Sequence, residues 1–161
     1  MNRLLIQNAH IVSGCANNAS VSTLTPDVVS LKNYQHLTVI VKLTTATGCA
    51  AGAITLKQGT AVATAATALG FSYVWANTDC GAGETLTKTA VTSNTFNSAG
   101  VASKTELYVI EVDSDSLNVD DGYDCVRVAL ADMAATTADV TYILSQPRFI
   151  DQSTHPTSIT D

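Results

Sequence analysis

Seven consecutive residues place the tightest limit on the fold. Leu37, Val39, Val41 and Leu43 alternate with Thr38, Ile40 and Lys42. A repeat of two fits an extended chain, whose successive side chains point to opposite sides, and not a helix, whose repeat is 3.6. This stretch is therefore a strand with one buried face. Similar runs follow. Ile54, Leu56 and Gln58 alternate with Thr55 and Lys57, and Val126 and Val128 with Arg127 and Ala129. Val140, Tyr142 and Leu144 repeat the pattern, and 107–112 is rich in β-branched and aromatic residues. In 71–76, Phe71, Tyr73 and Trp75 fall on one face, which reads as core because aromatic stripes at strand spacing usually pack inside.

Turn residues separate these runs: Thr47-Gly48, Gln58-Gly59, 77–83, 97–100 and Asp120-Asp121-Gly122. Glycine supplies positive φ at no steric cost, so the last of these reads as a tight turn joining two strands. The segment 61–69 is Ala, Val and Thr throughout most of its length and reads as strand or loop. About eight short strands with regular turns point to an all-β chain, a single β-sandwich or jelly-roll-like domain. Its expected extent is 27–148, with an N-terminal arm over 1–26 and a C-terminal tail over 149–161. The polar stretch 85–104, with Val91, Phe96 and Val101 as isolated anchors, reads as a further arm or long loop. Leu4, Leu5, Ile6, Phe149 and Ile150 are the candidate assembly contacts on the terminal segments.

Composition narrows the function. The chain has 161 residues, the size of one domain. Charged residues make up 14%, against about 25% in ordinary soluble domains. Thr, Ala, Ser and Asn fill the gap, which argues against a coiled coil and against a disordered chain. Eight Lys and Arg against fourteen Asp and Glu give a net charge of -6. Phosphate backbones repel such a surface, so no nucleic-acid partner is expected. No apolar run reaches about 18 residues, so no membrane partner is expected either. Leu4-Leu5-Ile6 is too short for a signal peptide, which makes a cytoplasm the expected place of folding. Cys15, Cys49, Cys80 and Cys125 are widely spaced, as free thiols would be in that compartment, with late oxidation of Cys49 and Cys80 as the alternative.

The search for chemistry is mostly negative. Gly81-Ala82-Gly83 lacks the third glycine of a dinucleotide fingerprint, since residue 86 is Leu. His10, His36 and His155 have no partner at metal spacing. Asp113, Asp115, Asp120, Asp121 and Asp124, with Glu111, form an acidic run. It reads as a solvated hairpin connection, with a bound calcium ion as the alternative. No cofactor, metal or catalytic residue is assigned.

Several segments together carry a resemblance: Ser30-Leu31-Lys32-Asn33-Tyr34, Ala53-Ile54-Thr55-Leu56-Lys57-Gln58, Leu69-Gly70-Phe71-Ser72-Tyr73-Val74-Trp75 and Tyr142-Ile143-Leu144-Ser145-Gln146-Pro147. Over roughly residues 28–150 the chain resembles small virion proteins of tailed bacteriophages of the capsid cement or decoration kind. The resemblance is one of overall pattern. It implies a β-rich homotrimer, made in the host bacterial cytoplasm, that sits on the virion's capsid surface and clamps the major capsid protein. The four cysteines and the long polar termini depart from that pattern. The alternatives are another virion component such as a head-fibre or tail protein, a carbohydrate-binding β-sandwich module using Trp75, and a hydrolase with a dispersed triad.

Overall fold

The alternating run around Val39 becomes a strand of twelve residues because both of its edges find partners. The computed structural model describes residues 5–148, and its strands are β1 (Ala9–Ser13), β2 (Ala19–Ser20), β3 (Val29–Ser30), β4 (Tyr34–Thr45), β5 (Ala53–Gly59), β6 (Thr67–Ala68), β7 (Tyr73–Asn77), β8 (Thr87–Ala90), β9 (Thr95–Asn97), β10 (Thr105–Asp113), β11 (Cys125–Leu130) and β12 (Thr136–Pro147). They form two antiparallel sheets packed into a sandwich, so the all-β expectation holds. The larger sheet runs β1-β12-β4-β10-β7-β8, with β2 also against β12. The smaller runs β3-β11-β5-β6, with β9 also against β5.

Register explains why alternation builds the core. Val39 stands opposite Ile110 on one side and Tyr142 on the other. Val41 likewise faces Tyr108 and Val140, and Leu37 faces Val112 and Leu144. All of these side chains point inward and are buried. Ile54, Leu56, Val126 and Val128 of the smaller sheet complete the apolar cluster. Each fully buried aliphatic side chain of this kind stabilises the fold by about 1.5–3 kcal/mol relative to exposure.

Polar groups inside the sandwich are satisfied. Glu106 faces inward on β10 and is fully buried, accepting from the Tyr108 hydroxyl at 2.7 Å and from Val101 N at 2.8 Å. Tyr108 in turn accepts from Ala99 N at 2.7 Å, so one hydroxyl ties the 98–104 loop to the sheet. Gln58 accepts from Asn118 N at 2.9 Å and donates to Ala68 O at 3.0 Å. Tyr142 on β12 crosses the sandwich. Its hydroxyl accepts from Val128 N of β11 at 3.1 Å and donates to Asp27 O at 2.9 Å. One group stays unmatched among the described residues: Nε of Arg127 is buried without a hydrogen-bond partner, and Arg127 stands directly opposite Lys57 across β11 and β5.

Three local expectations change. The Asp120-Asp121-Gly122 turn does not close a hairpin. Both edges of β10 are already taken by β4 and β7, so the chain must leave that sheet, and it re-enters as β11 in the other. The 114–124 crossing contains two 3-10 turns, Ser114–Ser116 and Val119–Asp121, and ends on Gly122 at φ 77°. The stretch 1–26 is not a free arm where it is described. From Ala9 it pairs along β12 in β1 and again in β2, because Val12 and Val21 have a core to bury in. The stretch 85–104 splits between the sheets as β8 and β9, with Val91 and Phe96 packed on the core and Val101 exposed. The tail at 149–161 lies outside the described residues. Segment 61–69 is a 3-10 turn, Val62–Thr64, followed by the two-residue strand β6. Among the described residues no helix is long and apolar enough to cross a membrane.

Tyr142→Phe removes a hydroxyl that serves a buried N–H and a partly buried carbonyl. The expected loss is about 1–3 kcal/mol, read as a lowered denaturant midpoint with an unchanged slope.

Burial also sets the alkaline limit. It holds the Cys125 thiol up at about 12 from an ordinary 9.0, with the Asp124 carboxylate at 3.0 Å adding to the effect. Burial likewise raises Tyr108 and Tyr142 above their ordinary 10.0. A raised folded-state value means that stability is full below the unfolded value and is lost as pH climbs toward the folded one. Melting temperature is therefore expected to hold through pH 8 and to fall progressively from about 9 toward 12, with Cys125→Ala making the fall shallower while the Cys15 thiol, also raised by burial, keeps its onset near 9.

Candidate functional site

The outward side of the larger sheet is assembled by the same register that builds the core. One unbroken cross-strand row reads Ser13, Thr141, Ile40, Val109, Trp75, Lys88. Beside it Ile11 stands opposite Ile143, and Lys42 stands between Asp139 and Leu107. Lys42 and Asp139 form an ion pair at 3.4 Å. Ile40, Val109 and Ile143 are half-buried by their neighbours, while Ile11, on the edge strand, is 45% exposed. Aliphatic and hydroxyl side chains fill the central row as far as Val109, with Lys42 and Asp139 flanking it on one side and Glu111, opposite Thr38, on the other.

At the β8 end the face changes character. Val74 points inward opposite Ile110, which sends its neighbours Tyr73 and Trp75 outward. They are 48% and 37% exposed. The reading of this stripe as core is thus corrected: a strand in a two-layer sandwich has one inner face, and Val74 takes it. Phe71, expected on the same face as the other two, lies before β7 and is buried. Lys88, opposite Trp75 on β8, holds its ammonium 3.8 Å from the Tyr73 ring centre and 5.4 Å from that of Trp75. Such cation–π contacts contribute about 0.5–1 kcal/mol at exposed sites.

These groups line a groove of 340 Å³ together with Ser72, Glu111 and Asp113. Its acidic side is organised by His36. Nδ1 lies 2.7 Å from Asp113 Oδ1, and Nε2 lies 3.9 Å from Glu111 Oε1. The pairing follows from register, since His36 on β4 stands opposite Asp113 on β10. Both ring nitrogens face carboxylates, which orients the imidazole and aims neither nitrogen at a hydroxyl nucleophile. His10 is elsewhere, with Nδ1 3.4 Å from the Tyr34 hydroxyl. His155 lies outside the described residues.

The structure scatters the remaining acidic run. Asp113 belongs to His36, Asp124 accepts from the Cys125 thiol, and Asp115 accepts from the Ser114 hydroxyl at 3.4 Å. Among the described residues no group of three or more His, Cys, Asp or Glu is arranged to hold a metal ion. All four cysteines are free. Of the terminal assembly contacts, Leu5 and Ile6 lie on a single helical turn, Leu5–Asn8, and are 62% and 59% exposed. Leu4, Phe149 and Ile150 lie outside the described residues.

Tyr73 and Lys88 are the groove residues that sequence reasoning missed. The available signal was the β-branched Val74 between two aromatics, followed by a polar stretch unable to cover them. No family model, curated protein or solved structure matches the chain.

Trp75 is the chain's single tryptophan, so its emission reports this groove alone. Acrylamide is expected to quench native-state emission readily, and Lys88→Ala to raise the quenching constant; a native state as resistant as a buried indole would contradict the outward placement.

Proposed function

We propose that the protein is a structural virion component that binds the outer surface of a phage capsid and stabilises the shell, acting as a homotrimer against the major capsid protein. The observation that carries this reading is the outward face of the larger sheet, where Ile143, Ile40 and Val109 gather on β12, β4 and β10, Ile11 extends them onto the edge strand, and the flanking Lys42 and Asp139 are paired with each other. Interface centres are depleted in charge, because each buried ion must be desolvated and paired. A standard contact needs about 800 Å² from each partner, and a broad sheet face supplies area of that order. Repetition over a lattice then multiplies modest contacts into strong adhesion. The phage-virion pattern of the strand segments supports the same reading.

The short edge strand β1 carries the exposed Ile11 beside this face, and the exposed Leu5 and Ile6 precede it in the chain. The assembly surface thus extends from the sheet toward the N-terminal segment.

A mass-resolved measurement in solution, run beside a gel of purified particles, tests the proposal. The expected outcome is a trimer at micromolar concentration and a band in the particles. Ile40→Lys, which puts a charge in the middle of the face without touching the core, is expected to leave the melting temperature within a few degrees while removing the protein from particles. A wild-type monomer absent from purified capsids would sink the assignment.

A further inference from the structure

We propose that the groove between β7, β8 and β10 is a binding site for neutral saccharides, with Trp75 and Tyr73 as the stacking platform and Glu111, Asp113 and Lys88 as hydrogen-bonding groups. The site adds a ligand to the protein and does not depend on the assembly reading.

The argument begins with what the groove offers. Two aromatic rings, two residues apart on one strand, point outward side by side. An exposed ring face is negative at its centre, and its edge is positive. Pyranose rings present patches of C–H groups that match such a face, while their hydroxyls need donors and acceptors around the rim. The groove holds both kinds. The Glu111 and Asp113 carboxylates accept, the Lys88 ammonium donates, and the Ser72 hydroxyl does either. Its 340 Å³ lies at the lower end of the roughly 300–1,000 Å³ typical of small-molecule clefts.

Charge then selects among ligands. A cation seeking the aromatic faces meets Lys88, whose ammonium already lies 3.8 Å from the Tyr73 ring centre. An anion meets Glu111 and Asp113 on the opposite rim, in a chain of net charge -6. A neutral polyhydroxylated ligand opposes neither and uses both. Lys88 lies farther from Trp75, at 5.4 Å, so its ammonium leaves the indole face the more open of the two to a stacking ligand. His36 fixes the Asp113 carboxylate at 2.7 Å, so the acceptor on that side is set in place before a ligand arrives.

The test uses the whole protein and the emission of its single tryptophan. Maltotetraose, cellotetraose, N-acetylchitotetraose and mannotetraose are titrated separately, with choline and inorganic phosphate as charged controls. The expected result is a saturable change with at least one tetrasaccharide and none with the controls. Tyr73→Ala and Glu111→Gln, both at exposed positions, should each weaken that affinity about tenfold with melting temperatures near wild type. That factor corresponds to about 1.4 kcal/mol. No response to any of the four sugars overturns the proposal. So does an equal response to choline or phosphate, or sugar binding that survives both substitutions. The Tyr73→Ala protein should still enter particles, so failure of this site and failure of the assembly reading are told apart.

Discussion

The architecture depends on β4 having both edges occupied. Eleven of its residues stand opposite residues of β12 and nine opposite residues of β10. A strand held on two sides cannot slip by one residue without turning its whole apolar set to water, so Leu37, Val39, Val41 and Leu43 fix the register of three strands together. That occupancy also governs the path of the chain. With β4 and β7 filling the edges of β10, the next strand has to form in the other sheet, and the 114–124 crossing follows. Its acidic residues are consequently spread along a path between two layers and not gathered around one turn.

The parts of the fold that were legible in the sequence are those whose signal is local. Alternation located β4, β5, β11 and β12, because burial on one face is written into every second residue, and β-branched and aromatic content located β10. The short strands were harder. β2, β3 and β6 have two residues each and exist through their partners, so no period is long enough to detect. β1 looked like part of a polar arm because its inward positions are His10 and Val12, only one of them aliphatic, with Gly14 lying close against Tyr142. Tertiary pairing, not propensity, recruits it.

The groove shows the same division. Periodicity put Tyr73 and Trp75 on one face correctly, but which face points inward is decided by a neighbouring strand. Val74 aligns with Ile110 and so settles the matter. His36 and Asp113 are 77 positions apart and meet through the β4–β10 register, a relation no linear motif records. Lys88 is one of two basic residues in a polar stretch, and only pairing with β7 sets it against the two rings. The aliphatic part of the outward face and the groove are thus two regions of one surface whose composition changes from aliphatic and hydroxyl to aromatic and charged along a single row of paired residues.

The pair Lys57 and Arg127 has a consequence for orientation. These two cations stand side by side on the outer face of the smaller sheet in a protein with only eight basic residues, and one nitrogen of Arg127 has no partner among the described residues. Like charges placed directly opposite one another cost stability. The sandwich therefore has two unlike sides, one mixing aliphatic, hydroxyl and paired charged residues, the other carrying two adjacent cations. A body of this kind has a top and a bottom.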